Sequence, residues 1–222
     1  MITVDVIMPA LGSTEQFRKM TGQTLLTLEN SETDIYFNPV VVESYKSFFK
    51  EGHKYDAKIV IPQEAFNYNL YLQIGLKYAS GADWTVLCNN DLIFQKNWFS
   101  KILSVNKRFP EIKSFSPWDE GTHPAKFINN NKILYVGKRS SYELAGWCIA
   151  VKRELLNKIY LDPRVSFWYS ENVYADELKR LNEKHCLVRE SEVYHLKSKT
   201  LNSMDKKTQR EITINQFNKY KN

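Results

Sequence analysis

The chain has little of what builds disulfide scaffolds, zinc modules or membrane spans. Its three cysteines, Cys88, Cys148 and Cys186, are odd in number, far apart and without CxxC spacing. That argues against a disulfide framework or a structural zinc site, and two of the three sit in apolar surroundings that read as core. No apolar run approaches the roughly 18–20 residues needed to cross a bilayer. The opening MITVDVIMPALG has no basic leader and is interrupted by Asp5 and Pro9, so it reads as a first strand and not a signal peptide. The expected location is the cytoplasm (a host's cytoplasm if the chain is viral). No internal repeat or linker divides the 222 residues, a length that one domain with a sizeable core accounts for.

Apolar residues make up 43% of the chain and aromatics 14%, which excludes a disordered protein. The net charge of +6 is unevenly placed. From position 196 onward there are seven basic residues, Lys197, Lys199, Lys206, Lys207, Arg210, Lys219 and Lys221, against Asp205 and Glu211. Such an end suits a polyanion, whether ligand phosphates, nucleic acid or a membrane surface, and equally a solvated helix.

Short apolar runs alternate with helical patterns. TVDVIM (3–8), PVVV (39–42), KIVI (58–61) and WTVLC (84–88) read as strands. Helical spacing marks 17–28, a short stretch 44–49, and most strongly 69–79, where Leu70, Ile74 and Tyr78 repeat every four residues before the stop at Ser80-Gly81. This alternation predicts a parallel, doubly wound sheet over the first ninety residues. Beyond Pro110 the runs shorten, and helix signals return near 152–159 and 174–183.

The WTVLC strand delivers Asn89, Asn90 and Asp91 to the edge where ligands collect in such sheets. A carboxylate flanked by amides suits a hard divalent cation that shares its ligands with substrate phosphates; it also suits a capped turn. Later come EVYH, ending in His195, and Glu171 within FWYSENVYADELKRL. Asp176 falls five residues beyond Glu171 and is able to pair with Arg180 at i+4. Asn67 and Asn69 open the strongest helix, as caps or anion contacts.

Taken in order, these segments resemble the family 2 glycosyltransferases, whose fold is GT-A. NND falls where that family carries DxD. VDVIMPA is similar to its first strand and VVVES to its second, FNYNLYLQIGL to a helix start with Gln73 in place of Asn, and ELAGWCIAVKRELL to the glycine loop beside the acceptor. FWYSENVYADELKRL with VYHLKSKT is similar to its ED-x-D-x-x-x-R segment and later histidine. The resemblance spans about 3–200. It implies an α/β, GT-A-like, Rossmann-type mixed and mainly parallel sheet flanked by helices, in a single domain. Residues 1–91 would form the nucleotide-sugar half, 92–195 the acceptor half and 196–222 a basic segment.

It further implies an inverting transfer from a nucleotide-diphosphate sugar, a UDP-sugar first, with Mn²⁺ or Mg²⁺ as cofactor. Asp91 and His195 would hold the metal. Pro9, Ala10, Glu43, Asn67, Asn89, Asn90, Lys197 and Lys199 would meet the donor, and Gly146 and Trp147 the acceptor. Glu171 would be the base, with Asp176 as the second candidate, in an apolar setting supplied by Phe167, Trp168 and Tyr169. Two family acids are amides here, Asn89 and Asn172. The acceptor implied is a glycan or lipid-linked glycan. The compact chain and its basic end also suit hydroxymethylated bases of viral DNA, and the two amides suit a silent sugar-binding module. For Trp118, Asp119 and His123 only a loop position is readable.

Overall fold

Valines and isoleucines that alternate along the first strand show how the molecule is layered. Val4, Val6 and Met8 of β1 (Ile2–Ala10) face one apolar cluster, and Ile7 faces the other. The structure, a computed structural model, describes residues 1–123, 132–166, 169–196 and 206–221. Its strands are β1, β2 (Ile35–Glu43), β3 (Lys58–Val60), β4 (Trp84–Cys88), β5 (Leu92–Phe94), β6 (Ser114–Trp118), β7 (Leu134–Val136), β8 (Cys148–Lys152) and β9 (His185–His195). Its helices are α1 (Glu15–Glu29), α2 (Tyr68–Lys77), α3 (Trp98–Arg108), α4 (Arg153–Leu156), α5 (Ser170–Arg180) and α6 (Lys206–Lys221).

One sheet runs β3-β2-β1-β4-β8-β6-β9-β5, with β7 also on β9. The β3-β2-β1-β4 part is wholly parallel, as the alternation predicts, whereas β8 is antiparallel to both β4 and β6. The sheet is therefore mixed and mainly parallel on its first side, flanked by helices on both faces, in a single GT-A-like domain. Buried residues of α1 and α3 pack on one face, those of α2, α4 and α5 on the other. Gly75 lets α2 lie close to the sheet, since a Cβ there would meet Ile7 at 2.4 Å.

Three expectations change. The stretch 44–49 is a series of turns and not a helix, closed by Gly52 at φ 73°. The second strand begins at Ile35, four residues before PVVV. The helix α3, unsignalled in the sequence, buries Trp98, Phe99 and Ile102.

Two polar devices fix the frame. Asp5, wholly buried, accepts from Asn38 Nδ2, from Ser80, Gly81 and Ala82 backbone N–H groups, and from Arg153. Burial alone would raise its pKa, but these bonds more than offset that and hold it below the usual carboxylate value. His185 lies between Ser114, Ser116 and the Glu143 carbonyl, with Ser114 also bonded to Tyr174 of α5. Burial pushes this imidazole down to about 4, so it is neutral.

Candidate active site

Asp91 sits in the turn between β4 and β5, and α1 builds that turn. Thr21, Thr24 and Thr27, three residues apart on one face of α1, each reach it. Thr21 Oγ accepts from Asn90 Nδ2 (2.9 Å), Thr24 Oγ accepts from Leu92 N–H (3.0 Å) and donates to the Asn90 carbonyl (2.9 Å), and Thr27 Oγ accepts from Phe94 N–H (3.2 Å). From the other side Asn89 N–H donates to the Trp147 carbonyl (2.9 Å) and Leu196 N–H to the Asp91 carbonyl (2.9 Å). The register pairs Leu92 with His195, which brings the histidine beside the aspartate across 104 residues of chain.

The result is a convergence of side-chain ends. His195 Nε2 lies 3.2 Å from Asp91 Oδ1 and 3.5 Å from the Asn89 amide. Asp91 is 5% exposed, and its Oδ1 has no hydrogen-bond partner among the described residues, so the 3.2 Å approach is a contact without hydrogen-bond geometry. A carboxylate oxygen and an imidazole nitrogen that face each other unbonded suit a shared cation, because ligands about 2.1 Å from one ion at right angles sit about 3 Å apart. The residues therefore fit a divalent metal. No group of three or more His, Cys, Asp or Glu side chains gathers there among the described residues, so an ion would need further ligands from substrate or water.

The ring of Trp147 stacks on that of His195 (5.5 Å between centroids, 14°) and, half-buried, lines a small open cleft. Glu171, in the first turn of α5, lies in the same cleft with Thr122, His123, Ser141 and Ala145. Its Oε1 accepts from Ser140 and Ser141 hydroxyls (3.0 Å from Ser141) and its Oε2 from Gly146 N–H (3.3 Å). Only glycine fits at 146, since a Cβ there would lie 2.5 Å from Glu171 Oε2. Of the four non-glycine residues with positive φ among the described residues, two frame this carboxylate: Ser141 (60°) and Tyr169 (65°), the residue before α5. Such backbone strain concentrates at functional sites. The Tyr68 hydroxyl donates to the Gly146 carbonyl (3.5 Å), within the electrostatic reach of both carboxylates. Burial pushes its phenol well above the usual range, helped by Cys88, Cys148, Asp91 and Glu171, so it remains a neutral hydroxyl.

Asp91, His195, Asn89, Gly146, Trp147 and Glu171 are thus brought together. Other candidates are placed elsewhere or engaged otherwise. Asp176 pairs with Lys179 (2.7 Å), not Arg180, and bonds Tyr220 of α6; it does not line the cleft. Glu43, expected to meet the donor, is fully buried, accepting from Gly12 and Tyr45 N–H groups (2.8 Å each), and burial raises its pKa. Pro9 and Ala10 are buried at the end of β1, where the Ala10 carbonyl accepts from Ser44. Asn90 is held by Thr21.

Asn67 caps α2 by accepting from Leu70 N–H and donates to the Pro163 carbonyl. Asn69 and Gln73 donate to the Asp162 and Leu161 carbonyls. These three amides seam α2 to the loop at 161–163 that precedes α5. Lys197 and Lys199 lie outside the described residues, as do Phe167 and Trp168. The basic end forms α6, which docks through Tyr220 and Phe217 on Tyr169 (5.6 and 5.7 Å). Sequence reasoning missed the threonines of α1, although their spacing of three was legible. It also missed Tyr68, Ser140 and Ser141, which carry no local signal.

A mixed sheet with an acidic turn after its fourth strand, a histidine from its last strand and a glutamate across the cleft defines a GT-A-like scaffold. The chain is similar in structure to the crystal structure of GalNAc-T7 with UDP, GalNAc and Mn²⁺, at TM-score 0.63 and 14% identity, over 87% of this chain and 44% of that one. It thus spans less than half of that protein, and the likeness shows the fold. No protein-family model matches the chain, and no curated protein matches it in sequence.

Proposed function

We propose that the chain is a divalent-cation-dependent, inverting glycosyltransferase that moves a sugar from a nucleotide-diphosphate sugar, a UDP-sugar first, to a glycan hydroxyl. The order of the six motif segments supports a family 2 type of enzyme. The observation that supports the reading is that Asp91 meets His195, which stacks on Trp147, and that Trp147 lines one cleft with Glu171, beyond the carboxyl end of β4. The UDP and Mn²⁺ seen with GalNAc-T7 support the choice of donor and metal. An imidazole among the ligands favours Mn²⁺ over Mg²⁺, which prefers oxygen.

Asp91 and His195, with the Asn89 amide beside them, would hold the cation. When bound, it supplies charge neutralisation for the departing diphosphate. Trp147 offers an apolar face for a sugar ring. Glu171, oriented by Ser140, Ser141 and Gly146, accepts the proton of the attacking hydroxyl, and that hydroxyl's oxygen displaces the nucleoside diphosphate at the anomeric carbon.

A panel of nucleotide sugars tests this. Release of nucleoside diphosphate is expected with Mn²⁺ and lost with chelator. Asp91→Ala is expected to abolish Mn²⁺-dependent donor binding while circular dichroism stays unchanged; donor binding as tight as in the parent would refute the metal assignment.

A further inference from the structure

Glu171 is aimed by the first turn of α5, and α6 touches the approach to that turn. Tyr169, the residue before α5, has a left-handed backbone (φ 65°, ψ 8°), and its carbonyl accepts from Val173 N–H (3.0 Å) to start the helix. The direction of the first turn, and of Glu171 upon it, therefore follows from how Tyr169 is held. A tyrosine in this conformation is strained and persists only where its surroundings over-determine it. The core anchors α5 through Val173, Tyr174, Ala175 and Leu178, all beyond Glu171, and leaves Tyr169 half-buried.

What meets Tyr169 is α6. The ring of Tyr220 stacks on it (5.6 Å between centroids, 4°), and Phe217 packs beside it (5.7 Å, 57°). Before this stack in the chain, Ser166 N–H donates to Gln216 Oε1, on a side chain buried to 4% exposure. After it, the Tyr220 hydroxyl donates to Asp176 Oδ2. Residues 216, 217 and 220 share one face of a helix. That face brackets 166–176, with Glu171 midway. Arg210, Glu211, Ile214, Asn215 and Lys219 of α6 are exposed, so its docking rests chiefly on this face.

We infer that Tyr220 and Phe217 are positioning residues for Glu171, acting through Tyr169, so that the carboxylate is aimed only while α6 is docked. The inference rests on the proposed role of Glu171 as proton acceptor.

Two measurements on the full chain test it. The first takes kcat and donor KM for nucleoside diphosphate release in the parent, Tyr220→Leu, Tyr220→Phe, Tyr169→Gly and the double variant Tyr169→Gly with Tyr220→Leu. Tyr220→Leu loses the stacked ring, and its kcat is expected to fall at least about tenfold with donor KM within about twofold. Tyr220→Phe keeps the ring and is expected to restore most of that rate. Glycine takes a left-handed backbone at little steric cost. In the Tyr169→Gly background, Tyr220→Leu is therefore expected to change kcat by less than about twofold, whereas a general loss of stability would act in both backgrounds alike. A kcat unchanged in Tyr220→Leu, or lowered equally in both backgrounds, overturns the inference.

The second measurement is hydrogen exchange by NMR, with no donor, acceptor or metal present. Tyr220→Leu is expected to speed exchange of the amides at 173–175 about tenfold, while those of β1 and β4 stay as in the parent. Equal exchange at 173–175 in the folded variant overturns the inference whether or not the chain turns over a nucleotide sugar. A parent without turnover refutes the transferase reading alone, and faster exchange then still supports α6 as the holder of the turn that carries Glu171.

Discussion

Glu171 is held by three donors and Asp91 Oδ1 by none, and this contrast assigns their work. A carboxylate with fixed orientation suits proton transfer, whereas an unmet buried oxygen suits an ion. Glu171→Gln keeps the shape and the bonds from Ser140 and Ser141 but removes the proton acceptor. Its kcat is expected to fall by about 10²–10⁴ while donor affinity, read by titration calorimetry, is unchanged. Gly146→Ala probes the same group through geometry. A Cβ 2.5 Å from Oε2 must displace the glutamate, and a shift near 1 Å is expected to cost about a hundredfold in kcat. A Gly146→Ala enzyme as fast as the parent would show that Glu171's position is unimportant. Asn89, Asp91, Glu171 and His195 were legible in the sequence because each stands at a strand end or helix start that apolar patterning marks. Glu43 was legible as a position but not as an environment: its burial depends on Gly12 and Tyr45 folding back over it, which no local pattern encodes.

At the scale of elements, α1 is the scaffold of the turn that carries Asp91. Thr24→Val preserves volume but leaves Leu92 N–H and the Asn90 carbonyl without their partner. The expected loss is about 1–3 kcal/mol in denaturant unfolding, with weaker Mn²⁺-dependent donor binding. Unchanged donor affinity in a folded variant would remove α1 from the account of the site.

The parallel strands and α2 could be read directly, since β-branched runs and a period of four are strong signals. The first half of β2 could not, because Pro39 interrupts it. The proline is tolerated since β3 pairs only with Val40–Val42 and leaves Pro39 a neighbour on one side. Helix α3 was hidden for another reason: Asn97 before it has a left-handed backbone and makes no side-chain cap, so its start carries no usual signature.

At the scale of the molecule, two buried groups link stability to acid. The folded pKa of His185, about 4, lies below the ordinary 6.5. Its contribution is therefore complete above pH 6.5 and lost as pH falls from there through 4, on the order of 3 kcal/mol. Asp5 acts in the same direction at lower pH. Its depressed carboxyl contributes above the unfolded value and fails as pH drops through the folded one. Chemical denaturation at pH 7.5, 6 and 4.5 is expected to show falling stability, with the step from 6 to 4.5 flattened most in His185→Gln. Equal stability at all three would contradict the neutral buried imidazole. Neither group was visible from composition, because both owe their state to partners from distant segments: Arg153 stands 148 positions from Asp5 and Ser114 stands 71 from His185.

The pairing of Leu92 with His195 also has a temporal meaning. A ribosome releases Asp91 long before the strand that completes its neighbourhood, so a half-synthesised chain holds a lone acid where the finished protein sets His195 beside it. Under the proposed assignment, the site for a cation is complete only once both ends of the chain have been made and paired.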